Sequence, residues 1–179
     1  MKLLLTVAAA TLCFAATESR VSRADILKVE NAINEKFSAH SADPYDLMGM
    51  ARGTYLEGYG ALFTVELDLI NAGPLNLSPF KQTITPEEKA TTRERKLKKL
   101  AELKESMRTL MVNASGTMDG LPPNERVAME AMLFSYSWED SRAIPHRVFM
   151  SAEKQKLLDA KAVHAGQPEL ITIIEEQER

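Results

Sequence analysis

One cysteine, Cys13, is all the thiol the chain possesses, and it lies among the first residues. If that stretch is removed on export, as argued below, the mature product has no disulfide, no cysteine nucleophile and no thiolate metal cage. Histidine is almost as scarce: His40, His146 and His164 are too few for a histidine-rich metal centre. Aromatic residues make up 6% of the chain, with Trp138 the single tryptophan, so any stacking surface must come from a local cluster. An excess of positive charge is also lacking. With 22 basic and 25 acidic residues the net charge is −3, which gives no global attraction to nucleic acid or to an anionic membrane. Beyond the N-terminus no apolar run approaches the roughly 20 residues that span a bilayer. There is no internal repeat and no low-complexity tract. The chain carries no G-x-S-x-G, P-loop, H-E-x-x-H, paired C-x-x-C or dinucleotide fingerprint.

What is present begins at the first residue. Lys2 supplies a positive start, residues 3–12 are apolar, and the small Ala15 and Ala16 precede a polar stretch from Thr17. That order is a secretory signal peptide, too short for a membrane span. Signal peptidase requires small side chains three residues and one residue before the cut. Cys13 and Ala15 meet this, as do Ser22 and Ala24, and the cut after Ala15 directly follows the apolar run. A lipid-anchored product is disfavoured because Leu12 stands where a small residue must precede the modified cysteine. The expectation is therefore a signal peptide over residues 1–15 and one domain over 16–179, periplasmic or secreted, with no transmembrane anchor after cleavage. The remaining length suits a single core, and 45% hydrophobic with 26% charged residues is an ordinary globular composition.

Ser22-Arg23-Ala24-Asp25 reads as a helix start, followed at helical spacing by Ile26, Val29, Ile33 and Phe37. Residues 62–69 alternate: Phe63, Val65, Leu67 and Leu69 point one way, Thr64, Glu66 and Asp68 the other. This is a half-buried strand, with residues 47–56 as its hairpin partner. Gly58 and Gly60 mark a bend or close backbone approach between them, and 71–79 is a loop. Thr85-Pro86-Glu87-Glu88 is a capping box with proline at the first helical position. Leu97, Leu100, Leu103, Met107, Leu110, Met111 and Ala114 then form the stripe of a long helix ending near Gly116. Its nearly all-polar first turns, through Lys96, are expected to project past the core. Residues 127–138 read as a strand apolar on both faces, hence central. A short strand at 148–150, a helix capped by Ser151 and stopped by Gly166, and a last strand at 170–174 complete the order. The predicted fold is α/β or α+β: a small mixed sheet of about five short strands packed on a long amphipathic helix, with two shorter helices.

The run Arg52-Gly53-Thr54-Tyr55-Leu56-Glu57-Gly58-Tyr59-Gly60-Ala61-Leu62-Phe63 resembles a segment of exported bacterial proteins of unknown function. The likeness extends through the long helix to Trp138, and it supplies no activity or site. Candidate chemistry must come from the residues themselves. Glu66 and Asp68 share one strand face and suit a divalent cation or acid–base work, or form a wet face only. Glu139, Asp140 and His146 share a loop but lack metal-ligand spacing. The basic run 93–99 offers Arg95, Lys98 and Lys99 to an anionic partner, against the alternative of a solvated helix face. Tyr55, Tyr59 and Phe63 precede or enter one strand. Phe134, Tyr136 and Trp138 fall on one face of another, where core packing is the commoner role and an exposed patch would point to sugar or peptide stacking. The expected function is a non-catalytic binding or interaction module of the bacterial envelope, with no cofactor, engaging another envelope protein or an anionic ligand through Arg95, Lys98, Lys99, Tyr55 and Tyr59. The alternatives are a small-ligand or glycan-binding domain and a carboxylate- or metal-assisted hydrolase.

Overall fold

The structure, a computed structural model, describes residues 21–38, 44–70 and 84–179. Residues 1–20 with Cys13, His40, and residues 71–79, which were expected to form a loop, lie outside the described residues. Ten elements follow in chain order: α1 (Arg23–Ser38), β1 (Asp46–Leu47), β2 (Arg52–Leu56), β3 (Gly60–Asp68), α2 (Pro86–Thr117), β4 (Arg126–Leu133), β5 (Arg147–Glu153), α3 (Lys154–Ala162), α4 (Gln167–Ile173) and β6 (Glu175–Glu178). The fold is mixed α/β, with β3 and β4 a parallel central pair joined through α2 and every other strand contact antiparallel. The strand order is β1-β3-β4-β5-β6, and β2 lies on the same side of β3 as β1.

Alternation in β3 aims Ala61, Phe63, Val65 and Leu67 at one face. The register sets these beside Val127, Met129, Ala131 and Leu133 of β4, and those beside Ala152, Met150 and Val148 of β5. All of these side chains are buried, and they form one core with Ile26, Ile33 and Phe37 of α1 and Leu103, Met107 and Met111 of α2. Helix α2 starts as its sequence dictates. Thr85 Oγ1 accepts from the Glu88 amide at 3.2 Å, and the Thr85 amide donates to Glu88 Oε2 at 2.9 Å. Gly58 and Gly60 have φ of +78° and +137°. A Cβ on Gly60 would stand 1.9 Å from the Arg126 carbonyl oxygen, so this backbone approach excludes any side chain.

Five expectations need correction. The strand expected over 47–56 is two, β1 and β2, separated by the bend at Met48 and Gly49, and both pair with β3. The strand expected to reach Trp138 stops at Leu133, because β5 begins opposite Met132 and β3 ends at Asp68, leaving later residues no strand to pair with. Ser151 caps nothing: it lies buried within β5 and accepts from Arg126, and α3 begins at Lys154 with no side-chain cap. The last strand expected at 170–174 is helix α4, with Gly166 at its N-cap, Pro168 in its first turn and Glu169 beside it, and the strand β6 follows. Finally, the polar start of α2 ends one residue sooner than expected, since Lys96 is fully buried.

Among the described residues no helix packs on the second face of the sheet, although Ala128 and Ser151 on it are buried. This face, open among the described residues, also carries Thr64 and Glu66 of β3, Glu130 and Met132 of β4, and Arg147 and Phe149 of β5, all partly or fully exposed. The described helices pack against one another on the first face. At the far edge, β6 alternates its carboxylates: Glu176 pairs with Lys104 and Arg108 of α2, Glu178 with Lys104, and Glu175 with Arg126 on the open side.

Candidate functional site

The open face and the carboxyl ends of β3 and β4 hold the features with chemistry to offer. Beyond Leu133 the chain keeps the strand's two-residue alternation for a few residues, its Phe134 amide still bonded to the Leu67 carbonyl at 2.9 Å. Phe134 and Tyr136 therefore emerge on the same side as Met132, with exposures of 37%, 38% and 42%. Phe134 meets Tyr136 edge-to-face with ring centres 5.0 Å apart, and Tyr136 stacks on Trp138 at 6.0 Å and 14°. Both spacings lie in the attractive range for ring pairs. The three rings form a ladder, exposed at Phe134 and Tyr136 and half-buried at Trp138, not the core packing that their apolar period suggested. Beside this arm, directly registered Glu130, Phe149 and Gln177 cross three strands. With Arg147 and Arg179 they line a shallow cup of about 220 Å³. Its rim is fixed by the Arg147 Nη1–Glu130 Oε1 pair at 3.0 Å.

Under the arm lies a buried ion triad. Asp68 ends β3, Glu139 lies in the connection after β4, and Lys96 reaches both from α2; their side chains are 1%, 2% and 1% exposed. Lys96 Nζ donates to Asp68 Oδ1 at 2.7 Å, Glu139 Oε2 at 2.5 Å and the Phe134 carbonyl at 3.4 Å. Those three acceptors match the ammonium's three N–H groups, so no donor is left for a substrate. Glu139 Oε1, also buried, has no hydrogen-bond partner among the described residues. Burial raises the Glu139 carboxyl above its ordinary value, against the pull of Lys96, and the nearby Asp68 carboxylate adds to the rise. Next along the loop, Asp140 accepts two bonds from the Arg142 guanidinium, at 2.7 and 2.8 Å, and these hold its carboxyl far below the usual range.

The sequence-derived candidates are dispersed. Arg95 and Lys98 are exposed on α2, while Lys99 is buried, pairing with Glu102 at 3.2 Å and lying 4.8 Å over the Tyr45 ring. With Lys96 turned inward, the basic run does not present a single face. Tyr55 is half-buried and donates to Glu125 Oε1 at 3.2 Å, which also takes the Gly58 amide at 3.1 Å; Tyr59 stands exposed on the turn between β2 and β3. Glu66 faces solvent on the open face, whereas Asp68 is consumed by Lys96. Glu139 and Asp140 are spent on Lys96 and Arg142, and His146 contributes its backbone to Leu133 and Arg179. Among the described residues no group of three metal-ligating side chains gathers, and no helix is long and apolar enough to cross a membrane. Reading the sequence missed the triad. Its only signal was a lysine three residues before Lys99 and four before Leu100, on the buried stripe of α2.

No family model, curated protein or solved structure matches the chain.

Proposed function

We propose that the chain is an exported, non-catalytic binding module of the bacterial envelope that meets its partner with the open face of its sheet. The observation that carries this reading is the Phe134–Tyr136–Trp138 ladder, its Phe134 and Tyr136 rings exposed beside Met132 and backed by the half-buried Trp138. Exposed rings that order one another lose little side-chain freedom on contact, and they supply large apolar area with polar tips. A protein segment laid across the face is the partner these rings suit best. The cup beside them supports a second reading, a glycan, because an aromatic floor at Phe149 ringed by Glu130, Arg147 and Gln177 offers a stacking surface with hydrogen-bonding groups at its rim. What supports export is the charged, apolar and small residues of the first sixteen positions.

N-terminal sequencing of protein from the periplasmic fraction is expected to begin at Ala16, and intact Met1 in the cytoplasm would overturn export. A photoreactive phenylalanine at Tyr136 is expected to crosslink one envelope protein in living cells, with the adduct lost when Phe134→Ser is added. If instead no protein adduct forms and soluble peptidoglycan fragments shift Trp138 emission, the glycan reading replaces it. Neither signal from a folded protein would remove the open face as a binding surface.

A further inference from the structure

We propose that the Asp68–Lys96–Glu139 triad is a proton-operated latch on the aromatic arm, residues 134–140, closed while Glu139 holds a proton and loosened when Glu139 ionises. The latch stands on the geometry of the triad alone; its bearing on partner binding rests on the reading above. Lys96 touches the arm twice, at the Phe134 carbonyl where the arm begins and at Glu139 where it ends. The Glu139 amide closes the turn on the Tyr136 carbonyl at 3.0 Å. The rings therefore stand between two points held by one buried ammonium.

The charge balance supplies the switch. Two carboxylates face one ammonium, so among the described residues the fully ionised triad carries one uncompensated negative charge with almost no access to water. An ion left unbalanced in a buried site is expensive, and such a group takes up a proton in preference to remaining charged. Glu139 is the member that answers, because its Oε1 lacks a partner among the described residues and burial already raises its carboxyl. Asp140, Arg142 and Arg93 form the outer shell on the same loop and on α2. The Arg93 guanidinium donates to the Arg142 carbonyl at 2.9 Å and lies 3.9 Å from Asp140, and the Arg142–Asp140 pair holds Asp140 ionised well below neutrality. The exposed His146 lies in the same connection.

The sign follows from linkage. The closed arm binds the Glu139 proton more tightly than an open, hydrated arm does, so acid favours closure and rising pH favours release. Trp138, the chain's one tryptophan, lies on the arm and reports its state. In a scan from about pH 4.5 to 9, wild-type emission is expected to move to the red and its anisotropy to fall in one transition as pH rises. Glu139→Gln is expected to hold the low-pH signal throughout, and His146→Gln to keep the transition. A flat wild-type profile, or the same profile in wild type and Glu139→Gln, overturns the latch. Should Glu139→Gln fail to fold, carbon-13 titration of the wild-type Glu139 carboxyl decides: a value above that of an ordinary glutamate supports the latch, and an ordinary or lower one overturns it. No partner is added, so the result is independent of whether the ladder binds anything.

Discussion

Replacing Lys96 with methionine tests whether the triad holds the fold or merely occupies it. The substitution keeps most of the side chain's length and apolar stem, so its cost is mainly that of the lost ammonium. Asp68 and Glu139 would then face each other at 1% and 2% exposure with no cation between them. Breaking a buried pair by removing one partner costs about 3–5 kcal/mol. Two orphaned carboxylates argue for more, whereas proton uptake by Glu139 limits the loss, and about 4 kcal/mol is the expected outcome near neutrality. Against a typical total of about 5–15 kcal/mol this is a large fraction. For a domain of this size it lowers Tm by about 8–16 °C. Urea titration followed by circular dichroism is the assay, with Lys98→Met as the exposed control, expected within about 0.5 kcal/mol of wild type. The deficit should shrink as pH falls and the raised Glu139 carboxyl takes up its proton. A Lys96→Met protein within about 1 kcal/mol of wild type at pH 7, with an unchanged urea slope, would refute the reasoning.

Gly60→Ala forces a Cβ to within 1.9 Å of the Arg126 carbonyl at a φ of +137°. It should cost more than the roughly 1–3 kcal/mol of backbone strain alone, read as a drop in urea midpoint. Lys154 Nζ donates to the Met118 and Leu121 carbonyls at 2.8 and 2.7 Å after the end of α2. Lys154→Met takes the ammonium from both, leaving the Leu121 carbonyl without a donor among the described residues while Met118 keeps the Leu121 amide, and should lower stability by about 1–3 kcal/mol. Burial works to raise Glu176, yet Lys104 and Arg108 prevail and hold it below its ordinary value. Its contribution is present above the usual carboxylate range and is lost as pH falls through the folded value. Glu176→Gln should therefore destabilise the protein at pH 7 and flatten the acid limb of its stability profile.

How far the sequence could be read depended on whether each signal was local. The capping box at Thr85, the alternation of β3 and the Gly58–Gly60 turn are decided within a few residues, and the structure shows all three where they were expected except at Asp68, whose side of β3 was read as wet but which is buried against Lys96. The arm was misread because its apolar period matched that of a buried strand, and what ends a strand is the length of its neighbour. β4 loses both partners at its end, since β5 begins at Arg147 opposite Met132 and β3 stops at Asp68, which no local pattern around Trp138 reveals. The α4 segment was short and apolar enough to pass for a strand, although Gly166, Pro168 and Glu169 together are a helix start. Lys96 was hidden by its own chemistry. A lysine inside a charge run reads as solvated, and only the distant Asp68 and Glu139 make its burial tolerable. Of the expected binding residues, Tyr59, Arg95 and Lys98 lie at the surface, but nothing in their local pattern could show that Lys96 and Lys99 turn inward between them.

The parallel contact between β3 and β4 also sets the order in which this chain can acquire structure. Gly60 meets Arg126 and Leu67 meets Leu133, so the widest strand pairing in the sheet joins segments separated by all of α2. As the chain is made or threaded from its N-terminus, α1, β1, β2 and β3 appear first. They can form an antiparallel hairpin whose core-facing Phe63, Val65 and Leu67 have neither α2 nor β4 to cover them. Closing so long a loop must precede the contacts that reward it, which places the βαβ closure late and makes it slow compared with the hairpin. Until β4 arrives, the exposed edge of β3 is available to any other extended chain. The interval before that closure is when the molecule is most open to a chaperone, and most prone to aggregate without one.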